Sequence, residues 1–172
     1  MSEENRWSIV ELQAKYFLEP HLNDVFLEGV YDKEVLSSAL SSSDHDYAFY
    51  EIDVVDVPQE VLEKYGLTSG NKQRVIALAH ELGVIAGGGV RCLVDRDLDH
   101  WFLNIENSGC LRWSKFCCIE SHFMTEEIAR NIVVTVGRAK IGDISKFFNS
   151  LVNILQTLYA MRAVDRELDL KL

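Results

Sequence analysis

Proline is nearly missing from this 172-residue chain, which holds only two, and no repeat or low-complexity tract interrupts it. That excludes a proline-rich linker or a string of tethered modules and confines expected disorder to the opening "MSEEN". Long apolar runs are missing as well. Nothing approaches the roughly 20 residues of a membrane-spanning helix, and the polar, acidic start lacks the basic and apolar stretches of a signal peptide. A cytoplasmic location with no membrane partner is the expectation. Cysteine is sparse: Cys92, Cys110, Cys117 and Cys118 form no CxxC pair, which excludes the common zinc modules and leaves reduced, partly buried thiols as the expectation. Positive charge is in deficit, with 17 Lys and Arg against 27 Asp and Glu. A net charge of −10 repels a nucleic-acid backbone unless a metal ion or a local basic patch intervenes.

What is present reads as one globular domain, since a chain of this length buries roughly 70% of its unfolded surface and 48% of its residues are hydrophobic. "WSIVELQAKYFLEP" predicts a helix with Ile9, Leu12 and Tyr16 on one face and Pro20 beyond its end. "NDVFLEG" predicts a strand, and "DKEVLSSALSSS" a helix that Asp32 is placed to cap. "YAFYEIDVVDVP" predicts the second strand, "PQEVLEKYG" a short helix, and "SGNKQRVIALAHELGVIAGGG" a longer helix stopped by glycines. "VRCLVDRD" predicts the third strand and "KFCCIESHF" the fourth, with "WFLNIENSGCLRW" between them ambiguous. "TEEIARNIVVTVG" and "GDISKFFNSLVNILQTLYAMRAVDREL" predict closing helices, the last with its apolar face in the core. The expected fold class is α/β, a mostly parallel sheet of about four strands with helices on both faces plus C-terminal helices. The expected organisation is an N-terminal helix over 1–20, a catalytic core over 21–137 and a helical segment over 138–172 packed on that core.

Parallel sheets gather functional groups at the carboxyl ends of their strands, where this sequence places acidic residues. In "RCLVDRDLDH", Asp95 and Asp97 are one residue apart, so extended backbone projects them from the same face, and Asp99 continues the alternation. Crowded carboxylates repel one another unless a cation, an arginine or water screens them. Mg²⁺ suits the task, because it takes hard oxygen ligands and keeps waters that hold substrate phosphate. Glu28 ends another strand in "VFLEG" and supplies a third carboxylate. The plainer reading is that aspartates after a strand only terminate it.

Four stretches in order, "DVFLEGVYDKEVL", "SGNKQRVIAL", "VRCLVDRDLD" and "CCIESHFMTEE", resemble the Toprim domains of the overcoming-lysogenization-defect (OLD) nucleases. Within that group the chain is most similar to stand-alone Toprim effectors encoded beside ABC-type ATPases in bacterial phage-defence systems. The resemblance covers roughly residues 22 to 130. It implies a Toprim-like fold and a Mg²⁺-dependent nuclease, with Mn²⁺ as substitute, that cleaves phosphodiester bonds in DNA or structured RNA, tRNA included. It also implies a toxic effector of antiviral defence held by an ATPase partner, with a homodimer left open. Carried over residue by residue, Glu28 matches the glutamate after the first strand, and Asp95 and Asp97 match the DxD. Asp32 and Asp99 match additional acidic metal positions of this branch, and Glu120 matches a later acidic position in the catalytic set. The chain shows neither the further domains of a topoisomerase nor the zinc module of a primase.

Lys72 and Arg74 stand at a predicted helix N-terminus and are candidates to hold substrate phosphate, against the simpler reading of a solvated first turn. "AGGGVR" lacks P-loop spacing and reads as a turn. His100 and His122 lie near acidic positions and are candidates for proton transfer, while Lys140 and Lys146 are candidates for phosphate contact or plain solvated charge. Two alternatives remain: a DxD metal-dependent nucleotide-sugar transferase, and a non-catalytic Toprim-fold subunit that docks on an ATPase.

Overall fold

Ser8 shows how local chemistry starts this fold. Its hydroxyl accepts the Glu11 backbone N–H at 3.2 Å while the Glu11 carboxylate takes the Ser8 N–H at 2.7 Å, a reciprocal pair that satisfies two otherwise orphaned donors. Helix α1 (Ile9–Leu18) follows and buries Ile9, Leu12 and Tyr16, as their spacing predicts. The computed structural model describes residues 6–41, 46–83, 89–103 and 105–169, so "MSEEN" and most of the glycine run lie outside the described residues.

The chain divides into two compact units, Met1–Arg96 with Asn104–Lys115, and Asp97–Leu103 with Phe116–Leu172. The breaks between the units follow Arg96, Leu103 and Lys115, and α1 shares a hydrophobic cluster with the sheet residues Phe26, Cys92 and Val94.

The first unit is built on a four-stranded, all-parallel sheet of order β3-β2-β5-β6, with β2 at Asn23–Leu27, β3 at Tyr47–Glu51, β5 at Arg91–Val94 and β6 at Leu111–Trp113. Four consecutive residues of β2, Asp24 to Leu27, are buried. Because successive side chains point to opposite faces, both faces of that central strand are covered. Helix α2 (Val30–Ala39) packs on β2 and β3, and α4 (Asn71–Leu82) packs on β2, β5 and β6. A second pair of strands, β1 (Trp7–Ser8) and β4 (Val55–Asp56), is also parallel, and α3 (Gln59–Lys64) packs on α4. The α/β class read from the alternation is the observed one.

Several elements depart from the sequence reading. "YAFYEIDVVDVP" is not one strand: the Arg74 guanidinium takes the carbonyls of Ile52 at 3.2 Å and Val55 at 3.0 Å and bends Ile52–Val54 into a 3₁₀ turn between β3 and β4. The third strand stops at Val94, before the aspartates. "KFCCIESHF" is not a strand; Ile119–Phe123 is a 3₁₀ helix, and the Ser121 hydroxyl stands 3.2 Å from both neighbouring thiols, local bonding that competes with an extended ladder. The fourth strand comes from the ambiguous stretch, where Leu111–Trp113 pairs with Cys92–Val94. Asp32 lies in the first turn of α2 but does not cap it; Gly29 is the cap residue. Gly89 sits so close to the Leu22 carbonyl that a Cβ would come within 1.9 Å of its oxygen.

The second unit holds α5 (Asp99–Phe102), the 3₁₀ helix, α6 (Glu126–Arg130), a π-helical continuation over Asn131–Val136, and α7 (Ile144–Leu168), which Asp143 caps. Of the face of α7 expected in the core, Ile144 is buried, Phe147, Phe148 and Leu151 are half-buried, and Leu155 and Leu158 are exposed. No helix among the described residues is long and apolar enough to cross a membrane.

Candidate metal centre

In the strand order of the four-stranded sheet the chain runs outward from β2 to β3 and then returns to the other side of β2 to form β5. The gap between β2 and β5 is therefore a topological switch point, the place where parallel sheets open a crevice at their carboxyl edge. Glu28 follows β2 directly and Asp95 follows β5 directly. The two meet there: the Glu28 Oε1 accepts the Asp95 backbone N–H at 2.8 Å. That bond takes the amide at which a continuing strand would pair, and it ends β5 while fixing the Glu28 side chain.

Two further residues steady this edge. Asn71, the first residue of α4, donates from Nδ2 to the Glu28 carbonyl at 2.9 Å, and the Ser114 hydroxyl, just past β6, accepts the Arg96 N–H at 3.0 Å. Neither contact was foreseen in the sequence. Asn71 stood in a motif read for its charges, and Ser114 carries no local signal, because its role depends on the pairing of β6. Lys72 lies with its ammonium 5.3 Å from the centre of the Trp113 ring. Arg74 is spent on the fold, with Asp53 at 2.7 Å, Asn71 at 3.1 Å and the two carbonyls already described, so we read it as a clamp rather than a phosphate ligand.

Asp97, Asp99 and Glu120 belong to the second unit. Asp97 adopts a left-handed backbone with φ +45°, a conformation that aspartate tolerates better than most residues. Its N–H donates to the Cys117 carbonyl at 2.7 Å and its carbonyl accepts the Tyr159 hydroxyl at 2.6 Å. The extended alternation expected of Asp95, Asp97 and Asp99 is thus replaced by a turn. Asp99 is buried at the start of α5, where Arg166 donates to its carboxylate at 3.1 Å, and the same guanidinium stands 4.6 Å from the Phe102 ring centre. A buried carboxylate needs such a partner, and this pairing gives Asp99 a structural task within its unit.

Glu120 is exposed on the 3₁₀ helix. His100 stacks near Tyr159, His122 meets Phe116 edge-on at 4.7 Å, and Lys140 and Lys146 are exposed. Burial raises the Tyr159 hydroxyl above its usual value, and burial pushes the Cys118 thiol up to about 11.

Among the described residues no three His, Cys, Asp or Glu side chains are grouped so as to hold one ion. The pair at the switch point still fits Mg²⁺ by donor chemistry. Glu28 and Asp95 offer hard oxygens, and Mg²⁺ is commonly held by one or two carboxylates with water and substrate completing its shell. Compared with protein-family models, curated proteins and solved structures, the chain matches none of them.

Proposed function

We propose that the chain is a Mg²⁺-dependent Toprim-type nuclease that hydrolyses phosphodiester bonds in DNA or structured RNA. The observation that carries this reading is the contact of the Glu28 carboxylate with the Asp95 amide at the switch point of a parallel sheet. The order of the four motifs adds to it. Glu28 and Asp95 would hold the ion, and Asp97 is a further ligand that the motif resemblance implies; Asp32 stands in the first turn of the helix that follows Glu28. When bound, Mg²⁺ supplies charge neutralisation at phosphate and activation of water.

The protein's own part is positional. The Asp95 N–H holds the Glu28 carboxylate in place, and Asn71 anchors the Glu28 backbone, so the ligand set is oriented before substrate arrives. In this reading the substrate is a nucleic acid, the location is the cytoplasm, and the regulator is an ABC-type ATPase partner in phage defence, on the strength of the motif resemblance.

The test is Glu28→Gln. The amide oxygen still accepts the Asp95 N–H, so the variant should melt within a few degrees of the parent while Mg²⁺-dependent cleavage falls by at least about 100-fold, the scale of losing one charge-stabilising group. Unchanged cleavage by the folded variant would remove the assignment.

A second reading, a non-catalytic subunit that docks on an ATPase, is favoured by the pairing of Asp99 with Arg166 and by the exposed apolar face of α7. Calorimetric titration and co-purification separate the two: no affinity for Mg²⁺ or Mn²⁺ together with a stable complex with the ATPase favours the docking subunit.

A further inference from the structure

Cys117 and Cys118 are adjacent and partly exposed, and their Sγ atoms stand 3.9 Å apart, turned to the same side, with the Ser121 hydroxyl 3.2 Å from each. An extended pair would point to opposite faces. The carbonyl of Cys117 belongs to the peptide that joins the two cysteines, and it is this carbonyl that accepts the Asp97 N–H at 2.7 Å. Asp97 is held from its other side by the Tyr159 hydroxyl, in a left-handed conformation that needs outside support.

We propose that Cys117 and Cys118 form a redox-modification site, a vicinal dithiol that peroxide closes reversibly to a disulfide and thereby takes the Cys117 carbonyl away from Asp97. The chemistry balances in two steps. The Cys117 sulfur displaces water from hydrogen peroxide and becomes a sulfenic acid, and the Cys118 sulfur then displaces a second water from it. The two thiols lose two electrons and two protons, and the peroxide is reduced to two waters.

Closure must act on the joining peptide. Neighbouring Cα atoms lie about 3.8 Å apart across a trans peptide, below the roughly 4.4–6.8 Å usual for disulfides, so the ring twists the Cys117–Cys118 peptide and turns its carbonyl. The same strain makes the bond easy to reduce, the property of regulatory rather than structural disulfides. The consequence for activity rests on the proposed function, since Asp97 is a ligand only in that reading; the disulfide and its effect on the Asp97 amide do not.

The experiment treats the full chain with hydrogen peroxide, alkylates the remaining thiols and maps the peptides by mass. The expected peptide over 117–118 is lighter by two hydrogens and restored by dithiothreitol, while the buried Cys92 and Cys110 are alkylated only after unfolding. Hydrogen exchange at the Asp97 amide should rise by about tenfold on oxidation, as its acceptor is withdrawn. In Cys118→Ser, peroxide should leave that exchange rate unchanged. Sulfinic acids in place of the disulfide, or a disulfide that leaves Asp97 exchange unaltered, overturns the proposal. Cleavage by the oxidised parent should fall by about tenfold or more and return with dithiothreitol. A reduced parent that cleaves nothing refutes the proposed function alone, and the mass and exchange readings then decide the dithiol.

Discussion

The carboxylate of Glu81, near the end of α4, takes the Lys64 ammonium at 2.6 Å and the Tyr65 hydroxyl at 2.9 Å. The bond from Lys64, foremost, holds Glu81 below the usual carboxylate range. A group whose value is lowered on folding binds fewer protons in the folded than in the unfolded state as the pH drops. Its stabilisation is full above the ordinary carboxylate value and disappears as pH falls through the lowered one. Glu81→Gln should therefore flatten the acid limb of the melting temperature against pH, with the two proteins converging once the parent's Glu81 is protonated. Parallel curves across that limb would show that the pair contributes nothing to stability. At this scale the sequence is uneven. Glu28 was legible because an acid after an apolar strand is a local pattern. The turn at Asp97 was not, because its φ of +45° depends on acceptor and donor groups 20 and 62 residues away, Cys117 and Tyr159. Asp24 is a similar case: it is buried in β2 and bonded to Lys15 at 2.7 Å and Tyr16 at 2.9 Å, and nothing in "NDVFLEG" announces those partners.

Elements whose signals are local were read well from the sequence. The apolar spacings of α1 and α4 each lie within a few turns of the helix they define. Strands fared worse, because β6 is three residues long and exists through its pairing with β5 rather than through its own pattern. The apolar periodicity of α7 misled in another way. Phe147, Phe148 and Leu151 are half-buried, whereas Leu155 and Leu158, on the same face, are 43% and 51% exposed. Periodicity reports a face that is apolar, and whether that face is buried is decided by what packs on it. Leu158→Gln should accordingly change folding stability by no more than about 0.5 kcal/mol, whereas Leu78→Ala in α4, at a fully buried position, should cost about 2–5 kcal/mol. Chemical denaturation of the two variants beside the parent measures both. A loss at Leu158 as large as that at Leu78 would return the α7 face to the core.

Across the whole molecule the surplus of ten negative charges sets a condition on the proposed chemistry. A nucleic acid approaching this chain meets repulsion that grows as salt is lowered, because screening reaches only about 10 Å at 0.1 M ionic strength. Two basic groups are already committed within the fold: Arg74 to Asp53 and Arg166 to Asp99. In the proposed reading, a divalent ion held at Glu28 and Asp95 would change the local sign where substrate phosphate comes close. Binding of an oligonucleotide, followed by fluorescence anisotropy, should therefore be at least about tenfold tighter in Mg²⁺ than in a chelator for the parent. It should lose most of that gain in Glu28→Gln, because the neutral amide is a far weaker ligand. Mg²⁺ also screens phosphates in solution without any help from the protein, and the variant separates that general effect from the site. Equal gains in parent and variant would locate the effect in solution and leave Glu28 without a role in metal binding.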